Sequence, residues 1–300
     1  MLFREYHIMK IQNECVPCLF KRILFEANES TSDNNKIDAA VKAAAKAFVE
    51  IYSHNTCSAD IATKVHEAAY AALDDFDPYK KLKESSNEIA ISLIPEVKKA
   101  IASSEDPLKM SILCSIVGNS LDFGIDGGSS HPEMFINQFQ DYVSEGFGYD
   151  DVSLVKQYLK NSNHILYFTD NCGEIVFDKL VCEQIKKQYP NITITLVVKG
   201  TPILSDATRK DAEKLNFSEV VDEIIDTGCF AVGIDFKDMP KKLDEKLKTC
   251  DFIICKGMAN YEVFSEQSYH PIAYFLRSKC QPISYSMGVD IHKNVVKIYP

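Results

Sequence analysis

The sequence predicts an α/β protein in which an N-terminal helical bundle packs on a C-terminal three-layer α/β/α domain with a mainly parallel, Rossmann-like sheet. Up to about residue 160, apolar residues recur at helical spacing, and no segment combines strand length with enrichment in β-branched residues. After residue 163, short apolar runs alternate with helical stretches. This alternation is typical of right-handed βαβ units, which bury both faces of a parallel sheet. The predicted domains are residues 1–160 and residues 161–300.

The helical half contains two marked helix starts. Asp33 is a predicted N-cap for the run IDAAVKAAAKAFVEIY, whose apolar residues fall on one face at helical spacing. Ser58 is predicted in the same way to cap the run ADIATKVHEAAYAALDDF. We expect about six or seven helices with a shared apolar core. Further candidate starts or breaks are marked by the prolines at positions 78, 95, 107 and 132.

The second half contains apolar runs that predict strands. They lie at residues 164–170, 192–200, 220–228, 251–257, 271–278 and 294–300. Helices are predicted between some of them, at 174–189, 206–216 and 238–250. In an open parallel sheet, ligands bind outside the carboxyl ends of the strands. The residues that directly follow each run are therefore the first candidates for a functional site.

The composition excludes several classes of protein. The chain has 300 residues, of which 46% are hydrophobic and 25% charged, and this balance is that of a globular protein rather than of disorder, collagen or a small disulfide scaffold. Acidic residues number 43 and basic residues 33, so the formal net charge is −10. Nucleic-acid affinity depends on clustered cations, so we expect no nucleic-acid partner. Only four basic residues are arginines: Arg4, Arg22, Arg209 and Arg277.

The ten cysteines are scattered and do not form a disulfide framework. The first residues lack the apolar stretch of a secretory signal, and no apolar run reaches the roughly 20 residues that span a bilayer. We therefore expect a cytoplasmic protein with reduced thiols and no membrane partner. Cys15 and Cys18 form a lone C-x-x-C, which lacks both a second pair at zinc spacing and the context of a redox motif.

Two predicted strand ends carry candidate metal ligands. Asp170 and Asn171 follow the first run, and Asp206 lies in the loop after the second. If these strands are neighbours, two carboxylates and one amide oxygen face the same crevice. Hard oxygen ligands suit Mg²⁺ or Mn²⁺. Alternatively, Asp170 serves only the turn and the N-cap of the following helix.

A phosphate site is predicted beside the metal ligands. Lys256 and Gly257 end the fourth run, so a cation and an unhindered backbone lie at the crevice. The turn that contains Gly173 and Glu174 opens a helix, whose free N–H groups favour an anion. A cation, a lysine and a helix N-terminus together predict a phosphoryl site. The alternative for Lys256 is a solvated lysine at a strand end.

The stretch from Gly118 to Gly124 ends an apolar helix with small and polar residues. One interpretation is a glycine C-cap followed by a turn. The other is a segment that folds over the crevice and presents Asn119 and Asp122 to the substrate.

Several motifs in order resemble one family. They are D-N-x-G-E-x-x-x-D at 170–178, P-x-x-x-D-A-T-x-x-D at 202–211, K-G-x-A-N-x-E at 256–262, G-N-x-x-D-F-G at 118–124 and the early C-x-x-C. Together they resemble the metal-dependent damage-control phosphatases, a former domain of unknown function related to acidic-residue methyltransferase-like proteins. The resemblance extends from Met9 over nearly the whole chain and is greatest for the compact prokaryotic branch.

The resemblance implies a helical domain joined to an α/β/α domain that hydrolyses small phosphorylated metabolites, including sugar phosphates and damaged by-products. It implies that Asp170, Asn171 and Asp206 bind a divalent metal, which differs among members between Mn²⁺, Co²⁺, Ni²⁺ and Mg²⁺. It also implies that Lys256 is the active-site lysine near the phosphate. Asn119, Asp122, Glu174 and Asn260 lie in matching motifs, and we assign them with Gly173 to substrate binding.

The leading hypothesis is in-line attack of water on a phosphomonoester, with Asp170, Asn171, Asp206 and Lys256 as the catalytic set. The metal, Asp170 or Glu174 orients that water. A haloacid-dehalogenase-like phosphatase would need a second Asp at position 172, where this chain has Cys. Two other classes stay open. One is an S-adenosylmethionine-dependent carboxyl methyltransferase, although the first turn lacks the expected glycines; the other is a noncatalytic phosphometabolite-binding protein.

Overall fold

The computed structural model describes residues 9–119 and 139–300. The first range folds into helices that follow one another with short connections. They are α1 (Cys15–Ser30), α2 (Asn34–Ile51), α3 (Ser58–Leu73), α4 (Lys80–Ser103) and α5 (Pro107–Gly118). The first three share an apolar core that includes Ile23, Ala44 and Val65. Within the described ranges, no helix has both the length and the apolar composition that crossing a bilayer requires.

The two predicted helix caps differ in outcome. The side chain of Asp33 accepts a hydrogen bond from the amide of Asn35 at 2.9 Å, so its prediction as an N-cap is confirmed. The prediction for Ser58 is wrong, because Ser58 is the first helical residue of α3 and Cys57 occupies the cap position. The Ser58 hydroxyl instead donates to Glu262 Oε2 at 2.5 Å, and this bond joins the helical half to the sheet half.

A seven-stranded sheet lies at the centre of the second range, in the order β1-β7-β6-β5-β2-β3-β4. All neighbours pair in parallel except β6 and β7, so the predicted α/β class with a mainly parallel sheet is confirmed. The strands are β1 (Tyr149–Asp150), β2 (His164–Phe168), β3 (Thr193–Val198), β4 (Glu223–Asp226), β5 (Phe252–Lys256), β6 (Ile272–Arg277) and β7 (Asn294–Tyr299). Because β1 precedes residue 161, the sheet includes two residues of the predicted helical half, and the domain boundary stays a prediction.

Helices cover both faces of the sheet because successive strand residues point to opposite sides. In β2, Ile165 and Tyr167 pack in one apolar core, whereas Leu166 and Phe168 pack in the other. The helices of this half are α6 (Val152–Asn161), α7 (Glu174–Gln188), α8 (Arg209–Lys214), α9 (Lys241–Thr249), α10 (Gly257–Phe264) and α11 (Gln281–Met287). Cores on both faces confirm the three-layer arrangement.

The strand order reverses beside β2. The chain passes from β2 to β3 on one side and later returns to β5 on the other. Connections then leave the two neighbouring strands in opposite directions, which opens a crevice at their carboxyl ends. Asp170 follows β2 and Lys256 ends β5, so both flank this crevice.

Candidate active site

The three predicted metal ligands lie together at the carboxyl edge of the sheet. The carbonyl of Asp170 accepts a hydrogen bond from the amide of Ala207 at 2.8 Å. One residue further, Asn171 and Asp206 face each other across an isolated antiparallel bridge. The three predicted ligands are exposed by 6%, 3% and 4% in sequence order, so they form a nearly buried acidic set.

The side chains of this set are tied to one another. The Asn171 amide nitrogen donates to Asp170 Oδ2 at 2.8 Å, and its oxygen accepts from the Ser205 hydroxyl at 2.6 Å. Across the bridge, Lys199 Nζ lies 3.2 Å from Asp206 Oδ2. Each carboxylate is therefore oriented by a donor, which lowers the cost of holding it away from water.

Asn119 reaches this set from the helical half. Its amide nitrogen donates to Asp170 Oδ2 at 2.9 Å and to Glu174 Oε2 at 2.6 Å. Asn119 can come this close only because the residue before it, Gly118, has no side chain. A Cβ at Gly118 would lie 2.7 Å from the Phe177 ring, where α5 crosses the start of α7. Of the segment from Gly118 to Gly124, the described residues are Gly118 and Asn119, and Asn119 lies at the crevice; its presentation to a substrate stays a prediction.

A cavity of about 240 Å³ opens above these residues. Its floor contains Asn119, Asp170, Asn171 and Asp206. The opposite walls come from α1, α3, α10 and the start of α11, so both halves of the chain build it. Side chains that the sequence did not single out line these walls, among them Arg22, Ser58, His66, Glu262 and Gln281.

Lys256 lies beneath the floor of the cavity. Among the described residues, it is not one of those that line the cavity. The side chain is fully buried, and its ammonium donates to Glu174 and to the Ser115 hydroxyl. It also lies 3.0 Å from Asp178 Oδ1, which accepts a hydrogen bond from Tyr167 at 2.8 Å. Since Glu174 in turn accepts from Asn119, Lys256 is connected to the cavity floor through two side chains.

The buried charges under the floor shift one another's pKa values. Burial raises the pKa of Glu174, the nearby Lys256 ammonium lowers it, and Asp178 raises it further, with a net increase. For Lys256, burial lowers the pKa, but the Asp178 and Glu174 carboxylates outweigh burial and raise the value above its usual range. The two carboxyl groups thus favour the charged form of Lys256, which lies between them as their shared cation.

The remaining predicted substrate-binding residues have different positions. The Gly173 amide donates to the Asn87 side chain at 2.6 Å, so this N–H group is already used inside the protein. The Asn260 amide nitrogen donates to the carbonyls of Thr169 and Lys256, at 3.0 and 2.7 Å, and so joins the ends of β2 and β5. Asp122 lies outside the described residues.

Two further lysines and an arginine at the site were not predicted as site residues. Lys199 directly follows β3 and contacts Asp206. Lys279 follows β6 by two residues, and its ammonium donates to the carbonyl of Asn119. Ligands bind at the carboxyl ends of parallel strands, and both lysines lie there, so the sequence did contain a signal for them. Arg22 had only a weak signal, its helical spacing from Cys15 and Cys18 along α1.

Glu262 forms part of the cavity wall on α10. Burial raises its pKa to about 7, although the Ser58 hydrogen bond and the Arg22 guanidinium act in the opposite direction. The carboxyl group thus titrates close to neutral pH. Its position links α3, α1 and α10 around one acidic side chain.

The donor set fits a hard cation only if an amide oxygen takes part. Within residues 9–119 and 139–300, no three His, Cys, Asp or Glu side chains are arranged to hold a metal ion. Asp170 and Asp206 supply two carboxylates, and the third predicted ligand is the amide of Asn171. Two carboxylates and an amide are an oxygen set that Mg²⁺ or Mn²⁺ accepts, with water at the other positions.

Comparison with known proteins gives the same family as the motifs. The sequence profile of the damage-control phosphatase ARMT1-like domain matches residues 11–295. A damage-control phosphatase of Archaeoglobus fulgidus is 37% identical over 290 residues, which cover 97% of this chain and 99% of the relative. A damage-control phosphatase of Pyrococcus horikoshii is 28% identical over 281 residues, or 94% and 95% of the two chains.

A solved structure extends the likeness to the fold. The crystal structure of a protein of the former domain-of-unknown-function family 89 from Pyrococcus horikoshii superimposes with a TM-score of 0.87 at 26% identity. The match covers 97% of this chain and 100% of that one. The likeness supports a phosphatase, and thus an enzyme that hydrolyses phosphate esters. From the profile match and the relative that is 37% identical over nearly its full length, the chain belongs to the damage-control phosphatase ARMT1-like family.

Proposed function

We propose that this protein hydrolyses phosphomonoesters of small metabolites, such as sugar phosphates or damaged phosphometabolites, with the help of a divalent cation. The observation that carries the proposal is the pairing of Asp170 and Asp206, which come from neighbouring strand ends and share the floor of one cavity. A cavity of about 240 Å³ suits a small metabolite rather than a polymer. Membership of a phosphatase family supports the reaction type.

The cation would be held by carboxylate oxygens of Asp170 and Asp206 and by the amide oxygen of Asn171. That oxygen now accepts from Ser205, while the amide nitrogen faces Asp170. A half-turn of the amide exchanges these atoms, and the Ser205 hydroxyl can accept from the nitrogen because hydroxyls act in both senses. Mn²⁺, Co²⁺, Ni²⁺ and Mg²⁺ are all candidates. Bound there, the cation supplies positive charge against the phosphate oxygens and polarises phosphorus.

The protein's own groups hold the floor in shape. The amide nitrogen of Asn119 donates to the Asp170 carboxylate and orients it. The same nitrogen also donates to Glu174, which fixes the position of Asn119. Lys256 contacts Glu174 and fixes its carboxyl group, so we assign Lys256 and Glu174 to positioning within the predicted site. Lys199 and Lys279 contact Asp206 and Asn119 directly, so they add positive charge next to the residues of the floor.

The attacking water needs an acceptor on the cavity side. Glu174 is wholly buried and occupied by Lys256 and Asn119. Asp170 lines the cavity, so between these two carboxylates it is the one placed to orient water for in-line attack. The water's proton passes to this acceptor, the bond from phosphorus to the alcohol oxygen breaks on the opposite face, and that oxygen takes a proton from solvent water as the alcohol leaves.

A phosphatase screen with matched variants tests the proposal. Chelator-treated protein is assayed on sugar phosphates and p-nitrophenyl phosphate, alone and with each of the four metals. We expect activity only after metal addition and a loss of about 100-fold or more in Asp170→Asn and Asp206→Asn, as for removal of other groups that stabilise transition-state charge. Asp244→Ala on α9 is the control, because this residue forms a surface pair with Lys248.

Four results would count against the proposal. Full activity in both aspartate variants rejects the site. Activity that persists after chelation rejects the cation. Binding of phosphorylated metabolites without turnover at saturating metal favours a noncatalytic binding protein, and tight calorimetric binding of S-adenosylmethionine favours the methyltransferase alternative.

A further inference from the structure

His66 and Glu26 form a buried pair behind the cavity wall. His66 Nδ1, on α3, lies 2.7 Å from Glu26 Oε1, on α1, and the two side chains are 1% and 0% exposed. Burying a carboxylate and an imidazole is costly unless each is held by a partner. The contact therefore fixes the imidazole ring with Nδ1 turned towards α1.

The other nitrogen of this ring has no partner. His66 Nε2 is buried and accepts or donates no hydrogen bond among the described residues. The two ring nitrogens point in nearly opposite directions, so Nε2 is turned away from Glu26. His66 also belongs to the lining of the cavity. A residue of the cavity lining thus carries a buried polar atom with no partner among the described residues, a state that buried polar groups rarely show.

The position of His66 relative to the acidic floor is set by α3. Tyr70 lies one turn further along the same helix, and its ring is 6.1 Å from that of His66. The Tyr70 hydroxyl accepts a hydrogen bond from the amide of Leu204 at 3.2 Å. Leu204 belongs to the loop that carries Asp206, so one face of α3 contacts both this loop and the cavity.

Three other polar side chains of the walls already have one another as partners. Ser58 donates to Glu262, and the Arg22 guanidinium interacts with the Glu262 carboxylate. His66 Nε2 differs from them because no described protein group satisfies it, while its residue lines the cavity. If the phosphate of that occupant lies on the floor at Asp170 and Asp206, the atoms that face the walls belong to its alcohol portion.

We infer that His66, oriented by Glu26, is a specificity-determining residue that hydrogen-bonds a hydroxyl group on the alcohol portion of the phosphorylated substrate. The inference rests on the proposed phosphatase function and adds a residue from the helical half to it. A site with an otherwise unpaired polar atom discriminates against ligands that lack the matching group, because that atom then stays unsatisfied.

The test compares two alkyl phosphates with equally poor leaving groups, ribose 5-phosphate and n-pentyl phosphate, in wild type and in His66→Asn. The shorter amide nitrogen of Asn replaces Nδ1 and keeps a donor for Glu26, but nothing replaces Nε2. We expect kcat/KM for ribose 5-phosphate to fall about tenfold, mainly through KM, as for loss of one hydrogen bond. The value for n-pentyl phosphate and inhibition by inorganic phosphate should stay within about twofold of wild type.

The outcomes separate this inference from the proposed function. No hydrolysis by wild type with any metal rejects the phosphatase itself. Equal losses on both substrates, mainly in kcat, would make His66 a proton donor to the leaving group and overturn the inference, as would no loss on either. If His66→Asn does not fold, ¹⁵N spectra of wild-type histidines decide instead. One Nε2 signal must shift with ribose 5-phosphate and stay unmoved by inorganic phosphate.

Discussion

The backbone of Gly257 packs directly against the carboxylate of Asp170. A Cβ at position 257 would lie 1.8 Å from Asp170 Oδ2 and 2.1 Å from its Cγ. Gly257 also has a φ of +75°, a conformation that favours glycine. The first residue of α10 thus closes one side of the acidic floor, and no larger residue fits there.

Replacing this glycine should damage both the floor and the fold. In Gly257→Ala the added methyl group displaces Asp170, so we expect cation affinity and phosphatase activity to be lost. The free energy of unfolding should fall by about 2–5 kcal/mol from the left-handed backbone and the overlap. Calorimetric titration with Mn²⁺ and chemical denaturation measure the two effects.

Gly288→Ala is the matched control. Gly288 has a φ of +63°, but a Cβ there would meet no atom within 4 Å. This variant should lose only about 1–2 kcal/mol and keep its activity. Equal cation affinity in the two variants would contradict the role of the Gly257 contact.

Lys256→Met should destabilise the protein strongly. It leaves Glu174 and Asp178 buried without their shared cation, and breaking a buried pair in this way costs about 3–5 kcal/mol. Lys64→Met removes the exposed partner of Glu67 and should change stability by less than about 1 kcal/mol. Urea denaturation compares them, and similar midpoints would show that the buried cation is dispensable.

Glu262 should make stability depend on pH. Its pKa in the folded protein is about 7, above the ordinary value of 4.5, because burial disfavours the charged form. The protonated group therefore stabilises the fold below pH 4.5, and this contribution disappears as the pH rises through about 7. Between these limits wild type should lose about 1–3 kcal/mol relative to Glu262→Gln. Denaturation at a series of pH values measures the difference, and a difference that is constant with pH would refute the assignment.

The cysteines should differ sharply in reactivity. Cys18 is exposed, whereas Cys172, Cys182 and Cys255 are wholly buried and burial raises their thiol pKa values well above the usual range. Iodoacetamide should modify Cys18 first, because the thiolate is the reactive form and needs access. Mass spectrometry of timed digests measures the order, with Cys18→Ser as the control. Rapid labelling of Cys172 in the native protein would show that the turn after β2 opens readily.

The sheet was predictable from the sequence because its strands leave a local signal. Ile165 and Tyr167 face one core and Leu166 and Phe168 the other, so the run is apolar throughout, as expected for a strand buried on both sides. The motifs and strand ends also indicated Asp170 and Asp206, although the bridge between Asn171 and Asp206 that brings the two loops together needed the structure.

Other parts of the site depend on contacts between distant residues. Lys279 contacts Asn119 across 160 positions of the sequence, and no periodicity encodes such a pair. The sequence placed Lys256 at a strand end but could not show whether its side chain points into the cavity or beneath the floor. The direction depends on its contacts with Ser115 and Asp178, which are distant in sequence. His66 lay within an ordinary apolar helix pattern, so nothing local separated it from a core residue.

The cavity has its acidic floor on the strand ends and its walls on α1 and α3, so a ligand in it touches both halves of the chain at once. Its binding free energy must then also favour the docked arrangement of the two halves. Occupancy by a cation and inorganic phosphate should therefore merge the unfolding of the helical and sheet halves into one transition at a higher temperature. A ligand bound in this cavity therefore also stabilises the packing of the helical half against the sheet half.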